Sequence, residues 1–155
     1  MRTITAILFC AAAQFATAQG KPTRMDHSAW DMLLRKYVST AGVVDYTGIM
    51  ADLTFDRYLA SLSRFAPQEG WSVDDQKAYW INTYNAFTVK LVCDHLPLES
   101  IQDIGGPEKQ KFIRIGGEMM DLGHIEEDIL RKGFNDPRIH FAITNASVSG
   151  PVLSN

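Results

Sequence analysis

The apolar positions between residues 71 and 97 repeat with the period of an α-helix over the longest such stretch of this sequence. Four of them form one broad stripe on a helical wheel: Trp80, Tyr84, Phe87 and Leu91. Polar residues fill only a narrow sector: Gln76, Thr83, Lys90 and Asp94. Ser72 can cap the helix at its N-terminus, and Pro97 stops it shortly after His95. The pattern therefore predicts a long central helix that is covered on most of its circumference.

Two asparagines, Asn82 and Asn85, fall on the covered side of this helix. A buried amide without a hydrogen-bond partner costs about 1–3 kcal/mol, so each needs a partner. Either loops that cross the helix or a ligand would provide it. The two asparagines are therefore the first candidates for a functional site.

Similar patterns predict the other elements of the chain. They are helices at 26–40 and 52–65 with an extended segment at 43–49 between them, a short turn of helix at 98–104, a β-hairpin of 111–115 and 118–122 around Gly116-Gly117, and a helix from Asp121 or Gly123 to Lys132 with Gly133 as its C-cap. Helices combined with a hairpin indicate the α+β class.

Residues 138–145 are predicted to form one central strand, because residues 141–143 are apolar on both faces of an extended chain. Such a strand needs neighbours on both edges, and the sequence offers only the hairpin. We therefore expect an incomplete domain, truncated at its C-terminus, or a partner chain that covers residues 139–144.

The N-terminus has the three parts of a cleaved signal peptide. Arg2 is followed by an apolar run at 4–16 and by Ala16 and Ala18 in A-x-A spacing. The run of about 13 residues is too short to span a bilayer. We expect removal of residues 1–18 and a secreted or periplasmic product with a single domain at 19–155.

The mature chain has no features of a nucleic-acid or metal-binding protein. The full sequence has 15 basic and 18 acidic residues. Removal of Arg2 leaves 14 basic residues and a net charge of about −4. Its four histidines lie on four predicted elements without metal-ligand spacing: His27, His95, His124 and His140. Cys93, its one cysteine, is interpreted as a small buried residue. We expect no cofactor, no metal and no transmembrane segment.

Two segments, AYWINTYNAFT at 78–88 and DPRIHFAITNASVSGPVL at 136–153, are distinctive when they occur together in this order. With HSAWDMLLRKYV at 27–38 and LGHIEEDILR at 122–131, they resemble the domain-of-unknown-function family 547. The resemblance covers nearly the whole mature chain. It implies an exported domain whose biochemical role is not established, with a fold similar to papain-like and transglutaminase-like proteins.

The sequence departs from the family pattern at two cysteine positions, which are Asn145 and Gly150 here. Neither residue replaces a thiolate nucleophile, so the resemblance implies that thiol chemistry is absent from this chain. A second departure is Glu127, where the family often has histidine. Family members also continue well beyond the position of Asn155. Glu126 and Glu127 are interpreted as part of a solvated helix face that pairs with Arg131 or Arg138.

We predict a site in the groove between the central helix and residues 138–147. Its residues are Asn82, Asn85, Arg138, His140, Asn145 and Ser147. One hypothesis is a catalytically inactive binding or structural domain. The alternative is a hydrolase or transferase-like pocket of papain-like type, in which His140 acts as a base with Asn82 or Asn85. His140 is also compatible with a structural role as a strand histidine bonded to one of these amides. The substrate and the partners are not readable from the sequence.

Overall fold

The computed structural model describes residues 24–147 and 150–153. The elements follow in this order: α1 (Ser28–Tyr37), α2 (Tyr46–Met50), α3 (Leu53–Arg64), α4 (Val73–Asp94), 3₁₀ turns at Ile101–Asp103 and Pro107–Lys109, β1 (Ile113–Ile115), β2 (Glu118–Met120), a π-helix (His124–Phe134) and α5 (Ile139–Ala142). Helices with a small antiparallel sheet make this an α+β protein, as predicted.

α4 is the central helix that the apolar pattern predicts. Ser72 caps it by accepting a hydrogen bond from the backbone N–H of Asp75 at 3.0 Å. The helices α2 and α3 and the π-helix all pack against it. The wheel is wrong in several details: Trp80 and Asn82, assigned to covered positions, are only half-buried, and Thr83, assigned to the solvent side, is fully buried. Thr83 is buried because three elements surround α4.

The helices α1 and α3 pack through stacked aromatic rings, with the ring centroids of Trp30 and Tyr58 5.5 Å apart. Asp52 caps α3 by accepting from the N–H of Thr54 at 2.9 Å. The expected extended segment at 43–49 is only partly present. After a single bridge between Val38 and Val44, Asp45 accepts from Gly48 N and begins the short helix α2.

The Gly-Gly hairpin is confirmed. Both glycines have positive φ, 59° at Gly116 and 94° at Gly117, as a tight two-residue turn requires. Ile113 and Ile115 are buried, and Gly116 N donates to the carbonyl of Ser63 in α3. The hairpin is thereby attached to the helical core.

The helix after the hairpin has π geometry over His124–Phe134 and extends two residues beyond its predicted end at Lys132. Its C-cap is Asn135, whose φ of 48° is left-handed and whose N–H bonds Arg131 O. Gly133 lies two residues earlier, inside the helix, and is not the cap. The wider π winding and the tolerance of asparagine for positive φ explain the difference.

The predicted central strand at 138–145 is wrong. Residues 139–142 form the single helical turn α5. Ile139 and Ile143, four residues apart, are buried on one side, whereas Phe141 is 76% exposed. A helical turn buries positions i and i+4, so the apolar residues do not mark two faces of a sheet. The argument for a covering strand or a partner chain at 139–144 therefore loses its basis.

No helix between residues 24 and 153, in the part that the structure describes, is long and apolar enough to cross a membrane. The predicted signal peptide at 1–18 lies outside the described residues.

Candidate functional site

Asn85 joins α4 to the segment that follows it in the predicted site. Its Nδ2 donates to the carbonyl of Ala142 and its Oδ1 accepts from the N–H of Thr144, both at 2.9 Å. The side chain is buried, and so is Thr144. The hydrogen-bond partner of this amide is therefore a crossing chain segment and not a ligand. Asn85 thus anchors the chain after α5.

A second anchor lies at the other end of the same segment. Asp136 accepts from Lys77 Nζ at 3.0 Å and from Arg138 Nη2 at 2.7 Å. The Arg138 hydrogen bonds, followed by that of Lys77, hold the pKa of Asp136 well below its usual range. Arg138 therefore contributes to the turn before α5, and its largely exposed side chain faces solvent.

His140 lies on the surface of α5, with its ring edge-to-face against Phe141 at 5.4 Å between centroids. Within the described chain, no hydrogen bond joins it to Asn82 or Asn85. The interpretation as a buried strand histidine is wrong because the segment is a helical turn. Asn82 is half-buried and makes no hydrogen bond to the described residues.

Asn145 and Ser147 form a local turn beyond α5. Asn145 Oδ1 accepts from the N–H of Ser147 at 3.1 Å and from its hydroxyl at 2.7 Å. A β-carbon built on Gly150 would overlap this same Oδ1. The two positions at which the resembled family has cysteines are therefore in direct contact in space.

The predicted residues do not share one cavity. A pocket of ≈ 240 Å³ lies between the loop at 41–46 and the described residues at 144–147 and 150–153, and of the predicted site residues only Ser147 lines it. Its walls also include Tyr46 and Val89. This pocket could not be predicted from the sequence, because residues 43–49 were expected to be extended.

Cys93 is buried, as expected from its position on α4. Its Sγ lies 3.5 Å from the carbonyl oxygen of Tyr46, to which the thiol donates. Burial raises the pKa of the thiol to about 11, so it is protonated at neutral pH. It does not have the properties of a nucleophile.

Glu126 connects the π-helix to α4. It accepts from the hydroxyl of Tyr84 at 3.1 Å and from Arg131 at 2.7 Å, and Glu127 also pairs with Arg131. Burial and the neighbouring carboxylate raise the pKa of Tyr84. The expected ion pair with Arg131 is present. Among the described residues, no group of three His, Cys, Asp or Glu side chains is arranged to hold a metal ion.

Comparison with protein families gives one match. The sequence model of a family described as "Protein of unknown function, DUF547" matches residues 68–154, more than half of the chain. The matched range begins just before α4 and includes the hairpin, the π-helix and the segment with Asn145. Neither a curated protein nor a solved structure matches the chain. The similarity to papain-like and transglutaminase-like folds stays a prediction.

Proposed function

This chain belongs to the DUF547 family, and from that premise we propose that it is an exported, non-catalytic member with a binding or structural role. The proposal rests on the residue type and the hydrogen bonds at position 145, where the resembled family has a cysteine and this chain has Asn145. Its side-chain oxygen is occupied by two hydrogen bonds from Ser147, and an amide has neither the charge nor the nucleophilicity of a thiolate.

The remaining thiol of the mature chain supports the same conclusion. Cys93 is buried and its pKa is raised to about 11. A catalytic cysteine instead has a lowered pKa and an accessible sulfur atom. The proposal that the protein is exported is supported by the signal-peptide pattern of residues 1–18.

One observation favours the alternative of a hydrolase or transferase-like pocket. His140 is exposed, and Asn82 makes no hydrogen bond to the described chain, so both side chains are accessible to a ligand. Asn85 fits this role less well, because its oxygen and one of its N–H groups are used by the backbone of residues 142 and 144.

The test compares hydrolysis of p-nitrophenyl acetate and of casein by the unmodified protein, His140→Ala and His95→Ala. His95 is the matched control, an exposed histidine at the end of α4. We expect all three proteins to remain at the background rate. Hydrolysis that is lost in His140→Ala and kept in His95→Ala would overturn the non-catalytic role and support the alternative.

Thiol reactivity provides an independent readout. We expect iodoacetamide to leave Cys93 unmodified in the folded protein and to alkylate it in urea, because the thiol is buried and protonated. Rapid alkylation of the folded protein at neutral pH would contradict the absence of a reactive thiol.

A further inference from the structure

A second pocket, of ≈ 470 Å³, opens between the start of α1 and the outer face of α3. It has no residue in common with the pocket at 41–46 or with the predicted site. Its volume lies in the range typical of small-molecule sites, about 300–1,000 Å³. Its lining combines apolar side chains, Met25, Ala29, Tyr58 and Phe65, with two arginines, Arg24 and Arg57.

The apolar wall is held rigidly by the core. The Tyr58 ring is stacked on Trp30, and its hydroxyl is hydrogen-bonded to Nδ1 of His27 at 2.7 Å. Tyr58 is only 2% exposed, so its ring forms the buried floor of the pocket, and its hydroxyl already has a hydrogen-bond partner. Phe65, which caps the end of α3, is 39% exposed and adds a second ring at the pocket.

Neither arginine forms an ion pair with a carboxylate of the described residues, although Arg24 lies near enough to Asp26 to help lower the pKa of that carboxyl. All 18 acidic residues lie between Asp26 and Asp136, inside the part that the structure describes. None of them forms an ion pair with Arg24 or Arg57 there, and Asp26, the acidic residue among the described lining, bonds the N–H of Ser28. Arg57 thus lines the pocket without an ion-pair partner among the described residues, and Arg24 lines it with Asp26 as a charged neighbour.

We propose that this pocket binds a small anionic amphiphile, a carboxylate with an apolar tail such as a medium-chain fatty acid. The tail lies against Met25, Tyr58 and Phe65, and the carboxylate pairs with Arg57 and Arg24. Guanidinium groups bind carboxylates by paired, charge-assisted hydrogen bonds. A purely apolar ligand would form no ion pair with either arginine. The proposal goes beyond the non-catalytic role and does not depend on it.

The test measures binding of dodecanoate by calorimetry, below the concentration at which it aggregates, to the chain purified after export. We expect one dodecanoate per chain and weaker binding of dodecyltrimethylammonium, which has the same tail and the opposite charge. Arg57→Ala should weaken dodecanoate binding about tenfold, because it removes a charge-assisted hydrogen bond to the carboxylate.

Arg64→Ala is the matched control, because Arg64 is exposed on the same helix, carries the same charge and does not line the pocket. Ser61→Trp fills the pocket and should abolish binding; the thermal melt of each variant shows whether it is folded. Absence of dodecanoate binding, equal binding of the cationic probe, or equal losses in Arg57→Ala and Arg64→Ala would each overturn the proposal. The hydrolysis assay tests the non-catalytic role separately.

Discussion

At the scale of single residues, the two asparagines of α4 have different roles. We expect Asn85→Leu to destabilise the protein by about 2–4 kcal/mol, because it leaves the buried N–H of Thr144 and the carbonyl of Ala142 without a partner. Asn82→Leu is the matched control and should change the free energy of unfolding by less than about 1 kcal/mol. Urea denaturation measures both. Equal stability of the two variants would mean that the Asn85 hydrogen bonds do not hold the segment.

His27 should make stability depend on pH. Burial lowers its pKa from the ordinary value of 6.5, although Asp26 and Asp75 partly oppose this. The folded state therefore favours the neutral ring, and protons bind more readily to the unfolded chain. The resulting stability is fully present above about pH 6.5 and is lost as the pH falls from there through the lower pKa of the folded state.

The measurement is urea unfolding of the unmodified protein and His27→Phe at pH 7.5 and pH 5. The other histidines are common to both proteins, so the difference between them isolates His27. We expect the unmodified protein to lose more stability than the variant at the lower pH. An identical loss in both would show that His27 does not contribute.

The need of Asn85 for a partner could be predicted from the sequence, since the apolar pattern puts the amide on a covered side of the helix. The identity of the partner could not. It depends on the path of residues 142–144, which is set by the turn that Asp136 makes with Lys77 and Arg138. The contact between Lys77 and Asp136 joins residues 59 positions apart, and no local pattern reveals it.

At the scale of elements, the loop before α2 is in close contact with the C-terminal described segment. Gly42 has a φ of 78°, and a β-carbon there would overlap the side chain of Val152. Gly42→Ala should therefore destabilise the protein through both backbone strain and this clash, by about 2–3 kcal/mol.

Gly70→Ala is the control for Gly42→Ala. Gly70 also has positive φ, 102°, but a β-carbon there meets no atom within 4 Å. It should show the backbone strain alone, about 1 kcal/mol. Thermal denaturation compares the two variants. If Gly70→Ala is as destabilised as Gly42→Ala, Val152 does not press on the loop.

The elements differ in how far local sequence specifies them. The hairpin was predictable because two adjacent glycines allow the positive φ values of its turn. The chain at 138–145 was not, because apolar residues in a stretch this short fit a strand and a helical turn equally well. The π winding of residues 124–134 has no sequence signature that the periodicity of apolar residues would reveal.

At the scale of the whole molecule, export is the prediction that decides where the domain folds. The exported product should begin at Gln19, because Ala16 and Ala18 form the small-residue site after the apolar run. Intact-mass measurement of the protein from an exporting host tests it. A product that retains residues 1–18 would contradict both the cleavage site and the expected compartment.

The contact between Asn145 and Gly150 also has a consequence for how the fold responds to reducing agents. The two positions touch without a covalent bond between them, and Cys93 is the one free cysteine among the described residues and is buried. The melting temperature of the cleaved product should therefore be the same with and without dithiothreitol. Introducing Asn145→Cys together with Gly150→Cys should place two sulfur atoms within bonding reach and make the melting temperature fall on reduction. We therefore expect the stability of this domain to be independent of the redox potential of its surroundings.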